Sequence, residues 1–155
     1  MASHSCCRAL CDHVRNLTDD QSRAMIQYGG YIGVNCYPRF LSADCKADSV
    51  TIAQHIDHIC QLGGSDIVGF GSDFDGIEVS PDDVRNPAEL PNLLTALRTY
   101  GYHDESIERI FGGHLKGYFA RLKLLKKPSR KRPHSRPDKR VKGTLPLPVA
   151  GTPTP

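Results

Sequence analysis

The sequence predicts an α/β fold in which short parallel strands alternate with helices, and three observations carry that prediction. Two apolar runs, YIGVNC (31–36) and DIVGFGSD (66–73), have strand length and no helical period. Other segments, TIAQHIDHICQLGG above all, repeat apolar residues at three- and four-residue spacing, the mark of a helix with one buried face. Start and stop signals separate the two kinds of segment, so strands and helices follow one another in short units, the pattern of parallel β/α architecture.

Taken in order, MASHSCCRALCDHVRN shows no helix period and reads as a loop that presents polar groups, its first residues closing a strand with His4 at the tip. Thr18 followed by Gln21 makes a capping box, and Gly29-Gly30 supplies a stop, so a helix is expected over roughly residues 19–28. The run 31–36 follows as a buried strand ending at Asn35. After a loop with Pro38, Ser49 is the expected cap of a helix whose buried stripe is Ile52, Ile56, Ile59 and Gly63. His55 and His58 flank that stripe on its solvent side and are expected to be structural and partly exposed.

The second strand ends in a polar turn at Asp73, and Asp75 belongs to that turn. Residues 74–86 form an Asp- and Gly-rich loop in which Asp82 and Asp83 are expected to be solvated. PAELPNLLTALRTYG reads as a helix with Leu90, Leu93, Leu94 and Leu97 inward, ending near Gly101. Asp104 is the expected cap of ESIERIF, and a last helix is expected from about His114 to Lys126.

Composition bounds the function. A chain of 155 residues suits one domain, but its charge is split. Residues 1–120 hold 9 Lys and Arg against 16 Asp and Glu, a net of −7; residues 121–155 hold 11 basic residues against Asp138 alone, a net of +10. From Pro128 onward there are seven prolines and a basic run, so a folded unit is expected over 1–125 and a disordered tail over 126–155. The tail, KKPSRKRPHSRPDKRVK at its core, is suited to weak, salt-sensitive attraction to nucleic acid or other polyanions, and has no aromatic residue to stack on bases.

Six cysteines without regular spacing or a CxxC pair argue against a disulfide framework or a zinc knuckle. They read as reduced thiols, with adjacent Cys6 and Cys7 packed rather than reactive, in a reducing, cytoplasmic compartment. No apolar run approaches the roughly 20 residues of a membrane helix. In parallel β/α proteins chemistry sits at the carboxyl ends of strands, which brings His4, Asn35 and Asp73 to one face, a set suited to metal binding or proton transfer.

Four stretches then carry a resemblance: SHSCCRALCDHVRNLTDDQ, GGYIGVNCYPRFL, TIAQHIDHICQLGGSDIVGFGSDFDGIE and IERIFGGHLKGYF. In this order they resemble the C-terminal part of the renal or membrane dipeptidase family, zinc peptidases built on a (β/α)8 barrel. The resemblance implies hydrolysis of dipeptides with two zinc ions. It implies that His4 ligates zinc, that Arg15 holds the carboxylate of the dipeptide substrate, and that Asp73 handles the proton of the attacking water.

The family's His-x-Asp pair, bridging glutamate and further histidine have no counterpart in these residues, and His114 stands where the family commonly has Asn. The chain is therefore expected to be an incomplete portion of the TIM barrel, inactive alone, with exposed apolar edges that call for the missing N-terminal half or for self-association. Any leader of the complete enzyme would lie upstream. The alternative is a non-catalytic remnant whose only activity is the polyanion binding of its tail.

Overall fold

The computed structural model describes residues 1–125, and the expected tail lies outside the described residues. Helix α1 (Asp19–Gln27) begins where the sequence indicates: the Thr18 hydroxyl accepts from the Gln21 amide and the Gln21 side chain accepts from the Thr18 amide. Strand β1 (Ile32–Val34) follows, then a single turn of helix, α2 (Pro38–Leu41), with Pro38 at its first position. Helix α3 spans Ser49–Ile59 and leaves through a wide turn, Cys60–Gly64, where Gly63 takes φ 96°. Strand β2 is Val68–Phe70; helices α4 (Leu90–Thr99), α5 (Asp104–Glu108) and α6 (His114–Leu125) complete the order.

β1 and β2 pair in parallel, Ile32 opposite Val68 and Val34 opposite Phe70. On the other side of β1 the N-terminal segment also runs parallel: Ala2 bridges Ile32, the Gly33 amide donates to the Ala2 carbonyl at 2.8 Å, and the Ser5 amide donates to the Gly33 carbonyl at 2.8 Å. This extended segment makes a third rail. Its carbonyl at Ser3 lies so close to Gly33 and Gly71 that a Cβ on either would sit 2.3 Å and 2.0 Å from the oxygen. Only glycine permits that approach.

The core joins this small sheet to α3 and α4. Ile52, Ile56 and Ile59 of α3 are buried with Ile32, Val34 and Val68 on one side and Leu93 and Leu97 on the other. Three members of the predicted α3 stripe are buried, but Gly63 is exposed because the helix ends at Ile59 and Gly63 turns the chain out at φ 96°; of the α4 leucines, Leu90 and Leu94 are only half-buried. Burying such side chains, at roughly 1.5–3 kcal/mol each, is the main force holding the helices to the sheet.

Several details differ from expectation. Both strands are shorter than their apolar runs, because the ladder stops where Asn35 and Gly71 turn their backbones into loops. The α3 cap is Asp48, whose carboxylate accepts from the Thr51 amide at 2.8 Å; Ser49 is the first helical residue. At α5 the capping position is His103, and Asp104 opens the helix, paired with Arg98 at 2.9 Å. Asp83 is not free in solvent: it accepts from the Ser49 amide at 2.7 Å and hydroxyl at 2.6 Å, pinning the loop to the start of α3. Asp82 is exposed and Asp75 lies in a single 3₁₀ turn, Phe74–Gly76.

His55 is a further correction, being 1% exposed and not on the solvent side of α3. His58 is the partly exposed one, 2.8 Å from the Asp19 carboxylate of α1. Its register explains the difference: His55 adjoins Ile52 and Ile56 on the inner surface, and polar partners from the N-terminal loop and α2 meet it there. Among the described residues, no helix is long and apolar enough to cross a membrane.

Candidate active site

The three parallel segments place their carboxyl ends side by side. Since Ala2, Ile32 and Val68 share a level, His4 falls level with Val34 and Phe70, Asn35 one residue beyond, and Asp73 three residues beyond. Asn35 is fully buried and its amide nitrogen donates to the Asp73 carboxylate at 3.2 Å. The Asn35 side-chain oxygen accepts from the Tyr37 amide, which fixes the amide group's orientation. The expected meeting of Asn35 and Asp73 is therefore present as a hydrogen bond.

Asp73 has a left-handed backbone, φ 61° and ψ 29°, a conformation few non-glycine residues adopt and one that Asp tolerates better than most. Its carbonyl accepts from the Gly76 amide at 2.8 Å, which closes the turn. A Cβ at Gly76 would lie 2.4 Å from the Asp73 carboxylate, so the glycine keeps that space open for the acid. Burial first, and then the adjacent Asp73 carboxylate, push the Cys36 thiol up to about 12.

Arg15 is exposed on the loop that follows the N-terminal segment. Its guanidinium lies 5.8 Å from the centre of the Phe40 ring, and His13 packs against the same ring at a tilt, 4.6 Å between centres. Tyr37 meets Phe40 edge-on at 5.0 Å. A continuous series of contacts thus runs from Asp73 through Asn35, Tyr37 and Phe40 to Arg15, and among the described residues Arg15 makes no ion pair.

His4 is half-buried; its Nδ1 lies 2.7 Å from the Ser3 hydroxyl, and among the described residues it makes no hydrogen bond to Asn35 or Asp73. No group of three His, Cys, Asp or Glu among the described residues is arranged to hold a metal ion. These residues alone therefore do not fit a zinc site. His114 has a structural part here: its Nδ1 donates to the Val68 carbonyl at 2.7 Å and ties α6 to β2.

Sequence reasoning brought Asn35 to the same face as Asp73 but passed over the hydrogen bond between them, Gly76 as a spacer, and the ring of Phe40 beneath Arg15. The strand-end position of Asn35 was the one signal available. Cys6 and Cys7 are buried, as expected of packed thiols, and burial, assisted by Asp19, pushes Cys7 up to about 12.

Fold and site together define a parallel β/α protein with an acid and an amide joined at the carboxyl ends of its strands and an imidazole level with the end of β1 on the adjoining segment. The family model for membrane dipeptidase, peptidase family M19, matches residues 1–130, and the chain belongs to that family. An uncharacterized protein from the pqqA 5′ region of Klebsiella pneumoniae is 44% identical over 114 residues, 71% of this chain and 42% of that protein. Human dipeptidase 3 is 29% identical, over 83% of this chain and 26% of its own length. Dipeptidase aclJ of Aspergillus oryzae is 32% identical, over 74% and 28%.

Among solved structures, a metallopeptidase from Rhodobacter sphaeroides, liganded with a phosphinate mimic of the dipeptide L-Ala-D-Ala, matches with TM-score 0.71 and 31% identity. The match covers 76% of this chain and 34% of that one. The probable dipeptidase PvdM from Pseudomonas aeruginosa matches with TM-score 0.72 at 21% identity, over 78% and 44%, and supports the fold. The chain spans less than half the length of each of these relatives.

Proposed function

We propose that the chain carries one side of the active site of a zinc dipeptidase and forms part of a (β/α)8 barrel. The observation that carries the reading is Asp73, held in a left-handed turn at the end of β2 with its carboxylate fixed by Asn35. A residue in a sparsely populated backbone conformation at a strand end marks a place where geometry is kept for chemistry.

In this reading Arg15 grips the carboxylate of the dipeptide with its planar, two-pronged group, oriented by the Phe40 ring. Asp73 takes a proton from the attacking water and returns it to the amine nitrogen as the C–N bond breaks, so the reaction balances as one water consumed and two amino acids released. His4 would offer one nitrogen to zinc, which would supply acidification of water only where further donors complete the site. Residues 1–125 by themselves are not expected to hydrolyse dipeptides, and the rest of a barrel would have to complete the site. We place it in a reducing, cytoplasmic compartment on the strength of its free thiols.

The test is hydrolysis of a dipeptide and of its C-terminal amide by the chain combined with the remaining region of an M19 enzyme. Arg15→Ala is expected to raise KM for the dipeptide and leave the amide unchanged. Equal effects on both would overturn the assignment of Arg15. No hydrolysis in any mixture, together with salt-sensitive nucleic-acid binding that vanishes when residues 126–155 are removed, would favour the tail reading instead.

A further inference from the structure

The loop that carries His4 and Arg15 is not anchored by strand pairing alone. Two of its side chains and one from α3 reach three consecutive carbonyls at the end of α2. The Cys11 thiol donates to the Arg39 carbonyl at 3.4 Å, the Asn16 amide to the Phe40 carbonyl at 2.8 Å, and His55 Nε2 to the Leu41 carbonyl at 3.0 Å. Carbonyls in the last turn of a helix have no partner within it, and α2 is a single turn, so it offers these acceptors to side chains from outside.

Asn16 also donates to the Cys11 carbonyl within the loop, at 2.8 Å, whereas His55 comes from a third element, α3, and grips the loop and α2 from there. Its Nδ1 accepts from the Cys7 amide at 3.0 Å while its Nε2 donates to Leu41, and its own carbonyl accepts from the Cys7 thiol at 3.4 Å. An amide can only donate and a carbonyl can only accept, so the two backbone partners dictate a neutral ring with the proton on Nε2. Cys7 lies three residues after His4 and eight before Arg15; Leu41 follows the Phe40 ring that supports Arg15.

We infer that His55 is a positioning residue, a buried two-sided hydrogen-bond clamp that sets the loop bearing His4 and Arg15 against α2 and thereby aligns both with Asp73. The functional part of this inference rests on the dipeptidase reading; the clamp itself does not.

Hydrogen exchange of the full chain tests the clamp without any need for catalysis. His55→Asn keeps an acceptor for the Cys7 amide, whereas His55→Leu keeps much of the volume and removes both polar atoms. The Cys7 amide is expected to exchange about tenfold faster in the Leu variant, the effect of losing one hydrogen bond, and to stay near the parent rate in the Asn variant. A filler of space would behave in the opposite way, and unchanged exchange in the Leu variant, or equal loss in both, overturns the clamp. Should the variants fail to fold, long-range proton–nitrogen correlation on the parent chain decides: an unprotonated Nδ1 is expected, and a proton on Nδ1 overturns the proposal. In the reconstituted enzyme the Leu variant is expected to lose about tenfold in kcat/KM with recovery in Asn. Faster exchange with full activity would overturn the positioning role and leave the dipeptidase reading standing.

Discussion

The two ends of the parallel segments differ in kind. At the carboxyl ends, polar side chains are bound to one another and to backbone: Asn35 to Asp73 and Tyr37, His55 to Cys7 and Leu41. At the amino ends, a cavity of about 680 Å³ opens between α1 and α6, walled by Met25, Tyr28, Leu122 and Leu125. Tyr28 and Leu125 are exposed there, and the main polar tie is Arg121 to the Gly29 carbonyl at 3.1 Å. The difference teaches how one small sheet divides its surroundings: polar side chains are fixed by one another at one end, while the other keeps exposed apolar surface.

Both ends rest on the same core, so the largest expected effect takes both down together. Ile56→Ala, in a side chain with no exposure, is expected to cost about 2–5 kcal/mol in urea unfolding, with loop and helix signals lost in one transition. Gly71→Ala separates the ends. Its Cβ would strike the Ser3 carbonyl, and about 1–3 kcal/mol of overpacking is expected, with the N-terminal segment losing amide protection while α1 and α6 keep theirs.

Acid probes the carboxyl end through His55. Burial, opposed by the Leu41 hydrogen bond, lowers its pKa below the ordinary value of about 6.5. The unfolded chain then binds the proton more readily than the folded one, so the contribution is complete above pH of about 6.5 and is lost as pH falls through the depressed folded value. Thermal unfolding measured downward from neutral pH is expected to show that loss, and His55→Asn to remove its histidine-dependent part. A smaller effect is expected at the α3 cap, where Asp48→Ala removes the acceptor for the Thr51 amide and costs about 1 kcal/mol. The smallest is at the amino end: Leu125→Glu should leave the urea midpoint within about 0.5 kcal/mol of the parent while reducing self-association in sedimentation.

Much of the fold is legible in the sequence because it rests on local signals. Thr18 and Gln21 announce α1, the Ile52–Ile56–Ile59 stripe announces the buried face of α3, and the two apolar runs announce parallel strands. What escapes is whatever depends on remote partners. Asp83 looks like a loop aspartate until Ser49, 34 residues earlier, is found beside it. His55 looks like the edge of a stripe until Cys7 and Leu41, brought in by other elements, supply its partners. The α3 cap moved by one residue because Asp48 and Ser49 are both good caps and only the backbone chooses between them. In the site, Asp73 was legible as a strand-end acid, but the Asn35 amide and the space left at Gly76 are facts of folding, not of spacing.

The most direct test of the central claim, that the carboxyl ends form half of a dipeptidase site, is hydrolysis by the chain assembled with the complementary region of an M19 enzyme, comparing Asp73 with Asp73→Asn. The expected result is activity in the assembled parent and a fall of about 10²–10⁴ in kcat in the variant, with assembly and zinc content unchanged. Equal activity in parent and variant would contradict the account, because the carboxylate held by Asn35 would then take no part in the chemistry.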